Sequence, residues 1–480
     1  MAAASVCACP LNVALVTTPE AGHVLPTLNL ARAVKERGHS VKIYTCDWVS
    51  DSLRCAAKVV GAELVTFPCD EALTQETLPK REATTIFAVV YHNAMKSPLE
   101  RALKSDGQMP DVIVADFGAL AAMDVAEEQR VPLVINWPNP LSALVSLCGV
   151  ADASTWHSFL GLHIARSSSS VLSLVRWLNV KHLGDWFDVV QKHMSRGAVV
   201  LVNSFWGLDS PQALPPNVVM TGPLLPPSAT LLAELSVKHP QLDDFLSRAG
   251  QRGAVYVTTG SLVELSQWQV EALYGGLKDV GCAVVWSLKA SQQKWLPCED
   301  DPNFFISTWV PQAELLQHSA VRVVITHCGW GGTSEILVAG KPLVAMPFFG
   351  DQPGNAQLLI KAGIGEAAGR LPIAAGGERN PYKPGDVTAA TVAAALRRIM
   401  ANYGAYKSAA ERLAISARAT GGGVAAAQQV EWAANLGHAH LARRSSPMPV
   451  GSHLPCGVVA CCVLLAAASV GLSAFLRARR

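Results

Sequence analysis

His327-Cys-Gly-Trp-Gly-Gly332 joins a short apolar, β-branched run, Val321 to Thr326, to helix-forming sequence from Thr333 to Ala339 that Gly340 closes. Strand, glycine loop and helix in that order are suited to holding phosphate. Glycines 329, 331 and 332 let the backbone turn sharply and bring bare N–H groups close to an anion, where the following helix presents its positive dipole end. Trp309 adds an aromatic face, Glu335 a carboxylate able to accept hydrogen bonds from ribose hydroxyls, and Asp351-Gln352 a polar pair. These groups suit a nucleotide that carries a sugar.

A second constellation lies far upstream. His23 ends the loop Thr18-Pro-Glu-Ala-Gly-His23, which follows the strand-like run Leu11 to Thr17. Imidazole, with an ordinary pKa of about 6.5, can take a proton from a hydroxyl as its oxygen attacks a sugar carbon. A carboxylate partner would fix the tautomer and stabilise the imidazolium. Asp116 is the candidate, because it ends the strand-like run Val112 to Ala115 and a parallel sheet would bring it to the same rim as His23. Asp124, farther along the following helix, is the second choice. His92, His157, His163, His182 and His193 lack a comparable context and read as structural or acceptor-pocket residues.

The elements that must carry these residues are strands alternating with helices. After Leu11–Thr17 comes a helix from about Leu25 to Arg37, with Pro26 in its first turn and Gly38 at its stop. Strands are expected at Val41–Thr45, Leu64–Phe67, Val112–Ala115, Leu133–Asn136, Val199–Asn203 and Val218–Met220. The alternation predicts a parallel sheet covered on both faces, with ligands at the carboxyl ends of its strands. Between Leu141 and Lys192 the pattern breaks, and Trp156, Trp177 and Trp186 stand in Leu- and Ser-rich sequence that could line an apolar cleft or simply pack a core. Gly222-Pro-Leu-Leu-Pro-Pro227 reads as a linker. A second α/β unit follows, with strands at Ala254–Thr258, Val284–Leu288 and Phe304–Ser307 ahead of the phosphate stretch. Neither half contains G-x-G-x-x-G, which argues against a nicotinamide or flavin enzyme.

The stretch from Trp309 to Gln352 resembles the plant secondary-product signature of the UDP-glycosyltransferases. Trp309, Gln312, His327, Cys328, Gly329, Trp330, Glu335, Gly340, Pro342, Pro347, Asp351 and Gln352 stand at the family's spacing over 44 residues. The resemblance implies the GT-B architecture, α/β with two Rossmann-like domains facing across a cleft. Trp309 would stack on uracil, Gln312 and Glu335 would hold the ribose, His327 would touch the diphosphate, and Asp351 with Gln352 would bind the sugar. Thr259-Gly260-Ser261 resembles the family's Gly-Ser loop beside the β-phosphate, although on sequence alone an ordinary strand-to-helix turn is the better explanation. His23 and Asp116 match the family's base and its partner. Where most members have Asn-Ser, this chain has Gly331-Gly332, which leaves backbone N–H groups to hold phosphate. The family also implies an acceptor-binding domain over residues 1–222, a linker over 223–250 and a UDP-sugar-binding domain over 251–440, closed by a helix from Val424 to Leu436.

Charged residues are only 16% of the 480, with a formal net charge of +2, so nothing points to nucleic acid. The 12 cysteines are scattered without C-x-x-C pairs and read as free reduced thiols, with no metal site. No cofactor is expected, since the UDP-sugar is a co-substrate. The amino terminus lacks the basic start and apolar run of a secretory leader. After a polar tether over 441–454, residues 455–476 carry no charge, and a helix of that length, about 33 Å, spans a bilayer core of about 30 Å. The expectation is a tail-anchored enzyme with cytosolic catalytic domains, on the endoplasmic reticulum rather than an organelle outer membrane. The resemblance implies inverting transfer of a hexose from a UDP-sugar, UDP-glucose first, to a hydroxyl of a small lipophilic acceptor, with Gln352 favouring glucose or another sugar with an equatorial 4-hydroxyl. A UDP-sugar epimerase of the same fold, or a nucleotide-sugar binding protein without turnover, are the alternatives.

Overall fold

A computed structural model describes residues 9–70, 87–105, 107–148, 189–226, 231–249, 253–298, 300–372 and 380–442. The tryptophans and histidines expected between 149 and 188, most of the tether and the apolar run 455–476 lie outside the described residues. Among those described, no helix is long and apolar enough to cross a membrane.

The first half forms strands β1 (Asn12–Val16), β2 (Ser40–Cys46), β3 (Glu63–Phe67), β4 (Val112–Asp116), β5 (Leu133–Trp137), β6 (Val199–Val202) and β7 (Val218–Met220). They pair in parallel in the order β3-β2-β1-β4-β5-β6-β7. The second half forms β8 (Ala254–Thr258), β9 (Ala283–Ser287), β10 (Phe304–Ser307), β11 (Val321–Thr326), β12 (Leu343–Ala345) and β13 (Gly365–Ala367), in the parallel order β10-β9-β8-β11-β12-β13. The strands nearest the centre of each sheet are buried along their whole length and mainly apolar, because helices cover both faces. In each sheet the chain reverses direction of strand addition at one place, between β1 and β4 and between β8 and β11. Such reversals are where open parallel sheets place a ligand crevice, at the carboxyl ends of the strands.

The helices of the first half are α1 (Ala21–Glu36), α2 (Asp51–Val60), α3 (Phe87–Lys104), α4 (Leu120–Glu128) and α5 (Leu141–Cys148). Those of the second are α6 (Leu231–Lys238), α7 (Pro240–Ser247), α8 (Gln267–Val280), α9 (Ala290–Gln293), α10 (Gln312–Gln317), α11 (Trp330–Val338), α12 (Gln352–Lys361), α13 (Ala389–Ala401), α14 (Tyr403–Ala419) and α15 (Gly422–Leu436).

Three local expectations change. Helix α1 starts at Ala21, not Leu25, so His23 sits in its first turn rather than in a loop. Glu20 caps the helix in extended conformation and accepts from His23 N and Val24 N at 3.0 and 2.9 Å. Pro26 lies within the helix and removes only the backbone bond to Gly22, whose exposed carbonyl water can serve. Helix α11 likewise starts at Trp330 rather than Thr333. Residues 223–250 are not all linker, because Leu235 of α6 and Leu242, Phe245 and Leu246 of α7 pack into the second half's core beside Tyr256 and Leu315.

Helix α15 crosses back and joins the first half's core. Ala426, Ala427, Val430 and Ala433 pack with Leu28, Ala31 and Val34 of α1. Glu431, whose side chain is 0% exposed, anchors this contact by taking both Nε and a terminal nitrogen of Arg37 at 2.6 Å and His39 Nε2 at 2.8 Å. Removing one member of a buried charge cluster strands the others, at a cost of roughly 3–5 kcal/mol. Glu431→Ala is expected to lower the unfolding free energy by about 3 kcal/mol, read from the urea midpoint at unchanged slope; a shift within error would show that α15 docks by apolar packing alone.

Candidate active site

At the first crevice, Asp116 is the last residue of β4, which pairs with β1 with Val16 opposite Ala115. His23 follows β1 by a short loop, so the two side chains meet, His23 Nδ1 to Asp116 Oδ1 at 2.6 Å. The carboxylate is 0% exposed and also accepts from Gly118 N at 2.9 Å, which fixes its orientation. Phe117 stacks on the imidazole with centroids 5.0 Å apart. Burial disfavours the imidazolium, but the charge and hydrogen bond of Asp116, with the fields of Glu20 and Asp351, outweigh it and raise the His23 pKa to about 9. Asp124, the second choice, is engaged by other histidines. It accepts from His92 at 2.8 Å and from His193 at 3.4 Å, and those two histidines pull its pKa well below the usual carboxylate range.

At the second crevice the turning residue is not a glycine. Cys328 holds the left-handed conformation at φ 63°, and glycines 329, 331 and 332 do not have positive φ. Gly329 is needed for close approach, because a Cβ there would stand 2.5 Å from His327 Nε2. Gly260, after β8, is needed on the same ring for the same reason, at 2.6 Å. The imidazole of His327 is thus seated against two glycine backbones, one from each of two neighbouring strand ends. Burial lowers its pKa to about 4 despite a hydrogen bond to the Thr258 backbone, so at neutral pH the ring is uncharged. The first intrahelical bond of α11 runs from Thr333 N to Gly329 O at 2.9 Å. The N–H groups of Trp330, Gly331 and Gly332 therefore have no partner within the helix and sit at its positive end.

Glu335, one turn on, is oriented by a relay in which Tyr256 Oη donates to Gln312 Oε1 at 2.9 Å and Gln312 Nε2 donates to Glu335 Oε2 at 2.5 Å. Burial raises the Glu335 pKa to about 7 despite that hydrogen bond. Trp309 is 64% exposed, a flat platform with His239 beside it at 5.7 Å. Ser261 is exposed on the turn after Gly260.

Two expected donor contacts differ. The Trp330 side chain is buried and its Nε1 donates to Asn203 O at 3.1 Å, just beyond β6, so it ties the two halves together and only its backbone N–H faces the anion position. Gln352 is also buried, with Oε1 accepting from Phe348 N and Phe349 N at 2.9 and 3.2 Å, so only its amide nitrogen remains for a sugar. Asp351 is exposed, and Asn355 Nδ2 donates to it at 2.6 Å and to Cys328 O at 3.0 Å. Asp351 and His23 each shift the other's proton affinity, which brings the donor rim of the second sheet within electrostatic reach of the base candidate on the first.

A sequence profile described as UDP-glucoronosyl and UDP-glucosyl transferase matches residues 180–409. A UDP-glycosyltransferase of Talaromyces amestolkiae is 29% identical over 411 residues, covering 74% of this chain and 75% of its own length. UDP-glycosyltransferase 75B1 of Arabidopsis thaliana is 28% identical over 385 residues, covering 73% and 81%. The chain belongs to the UDP-glycosyltransferase family. Its architecture is shared with a Medicago truncatula protein solved in complex with UDP-glucose, at a TM-score of 0.67 and 19% identity over 88% of this chain and 97% of that one. As a UDP-glycosyltransferase it is an enzyme of glycosyl transfer from a UDP-sugar, with two Rossmann-like domains in the GT-B arrangement.

Residues that the sequence alone did not single out in this glycosyltransferase are Phe117 and Glu20 around His23 and His239 beside Trp309. Glu20 carried a signal in its place within the same short loop, three residues before His23. His239 carried none, because its position depends on how α7 packs. The Glu335 pKa gives a direct check. Only the ionised carboxylate accepts two ribose hydroxyl bonds, so UDP affinity is expected to rise with pH through about 7, measured by calorimetry. Glu335→Gln should bind more weakly and lose that dependence; a wild-type affinity flat from pH 6 to 8 would remove Glu335 from the nucleotide site.

Proposed function

We propose that the enzyme moves glucose from UDP-glucose to a hydroxyl of a small lipophilic acceptor, with inversion at the sugar carbon and without a metal. The observation that carries this reading is the His23–Asp116 contact of 2.6 Å at a cleft whose opposite rim holds Asp351. His23 is the general base. Its Nδ1 faces Asp116, so Nε2 receives the acceptor proton as the acceptor oxygen bonds to the anomeric carbon and the bond from that carbon to the diphosphate breaks. Asp116 keeps the tautomer and stabilises the imidazolium that results. Charge growing on the departing diphosphate meets the N–H groups of residues 330 to 332, with the uncharged ring of His327 beside them, a preorganised set that requires no reorientation during reaction. Trp309 supports the uracil ring, Glu335 with Gln312 the ribose, Ser261 the β-phosphate, and Asp351 with the Gln352 amide the sugar hydroxyls.

Glucose is supported by the Gln352 amide and by the UDP-glucose complexed with the Medicago relative. Gly331 has open space where a side chain would project, so its lack of an Asn is a chemical difference and not a steric necessity. We further propose that residues 455–476 anchor the enzyme in a membrane with the catalytic domains on the cytosolic side, which suits a lipophilic acceptor. The uncharged run itself supports this.

With the His23 pKa at about 9, the base is mostly protonated at neutral pH in the free enzyme, and kcat/KM should climb as pH rises towards 9. Asp116→Asn keeps an oxygen for Gly118 N but removes the charge, so that limb should move to lower pH while kcat falls by roughly 10²–10⁴. His23→Ala should abolish transfer with UDP binding intact. Steady-state kinetics from pH 5.5 to 10 read both effects; wild-type turnover in His23→Ala would exclude it as the base.

A further inference from the structure

At the carboxyl ends of β2 and β3, on the same rim of the first sheet as His23, the Sγ atoms of Cys46 and Cys69 lie 3.0 Å apart. Cys46 is the last residue of β2 and is fully buried, whereas Cys69 is partly exposed. Both backbones are pinned. Cys46 is in register with Phe67, Asp47 N donates to Phe67 O at 3.0 Å, and Asp70 N donates to Ala94 O of α3 at 3.0 Å. Two thiols 23 residues apart in sequence are therefore held in direct contact. Shortening that contact to the ~2.05 Å of a disulfide takes about 1 Å of side-chain movement. Buried cysteines often serve only as small apolar residues. Here one of the pair also reaches solvent, which gives an oxidant access.

We propose that Cys46 and Cys69 are a redox modification site that closes to a reversible disulfide by exchange with a small-molecule disulfide such as oxidised glutathione. The Cys69 thiolate attacks one sulfur of the oxidant, forming a mixed disulfide and releasing one thiol. Cys46 then gives up its proton to solvent and attacks the Cys69 sulfur, releasing the second thiol. Two protein thiols are oxidised and one small disulfide is reduced to two thiols. The order follows from access and from proton affinity, because the contact with Cys69 and burial keep the Cys46 proton in place until the mixed disulfide forms.

Closing the pair acts on the acceptor side. Cys46 and Tyr91 share one core cluster, with Trp48 and Cys69 packed against it. Trp48 stacks on Tyr91 at 6.3 Å, and Tyr91 Oη donates to Glu20 Oε1 at 2.5 Å, the cap of the helix that carries His23. This consequence rests on the proposed acceptor side, whereas the disulfide itself does not.

The test is peptide mapping of the full chain without reduction, after oxidised glutathione and again after dithiothreitol, alongside kinetics. A cross-linked peptide joining Cys46 to Cys69 should appear and then vanish with dithiothreitol. Oxidation should raise the acceptor KM by about threefold or more with UDP affinity unchanged. Cys69→Ser should keep the turnover of the reduced parent and stop responding to oxidant. Glutathione retained on Cys69 without closure onto Cys46, or cross-links only among other cysteines, would overturn the site. A Cys46–Cys69 cross-link with an unchanged acceptor KM would overturn its coupling to the acceptor side, and the cross-link is read without any turnover assay.

Discussion

A fully buried carboxylate at the centre of a parallel sheet is tolerable only if a partner shares its charge. Asp116 is that carboxylate, and His23 with the Gly118 N–H is the answer to it. Much of the first half follows from meeting this requirement. Helix α1 has to begin early enough to bring His23 over the end of β4, so Glu20 caps it and Pro26 is absorbed within it. Phe117 covers one face of the ring, and Trp137 covers Phe117 edge-on at 5.1 Å. The result is a histidine whose high proton affinity is set by its surroundings rather than by its sequence neighbours.

The second half answers the opposite electrostatic demand. His327 is seated against two glycines and stays neutral, while the N–H groups at the start of α11 lie beside it. A site for a departing diphosphate needs donors that are already aligned, and backbone amides of a helix start meet that need without side chains. In the proposed site the Gly331-Gly332 pair leans on that backbone more heavily than Asn-Ser would. The Trp330 bond to Asn203 ties the two halves together, and so does α15, held by Glu431 to Arg37 and His39 just beyond α1.

The strands were legible in the sequence because a parallel sheet covered on both faces demands unbroken apolar runs, as in Val112 to Ala115 and Val321 to Thr326. His23 and Asp116 could be paired on paper because both follow such runs, and parallel strands end on one rim. What the chain does between elements was harder to read. Composition names glycine as the residue that turns, but the left-handed residue is Cys328, since Gly329 is committed to making room for His327. The direction of the Trp330 and Gln352 side chains and the docking of α15 onto the first half depend on contacts with sequence far away, and no local pattern reports them.

The central claim is that an acceptor oxygen, relieved of its proton by His23, attacks the sugar from the side opposite the diphosphate. The configuration of the product at the anomeric carbon tests this most directly. With UDP-α-glucose and any accepted hydroxyl compound, proton NMR of the freshly formed glycoside should show the large axial–axial coupling of a β-linkage and no α-product. An α-glycoside as the first product would contradict single displacement across the cleft and with it the role assigned to the His23–Asp116 pair.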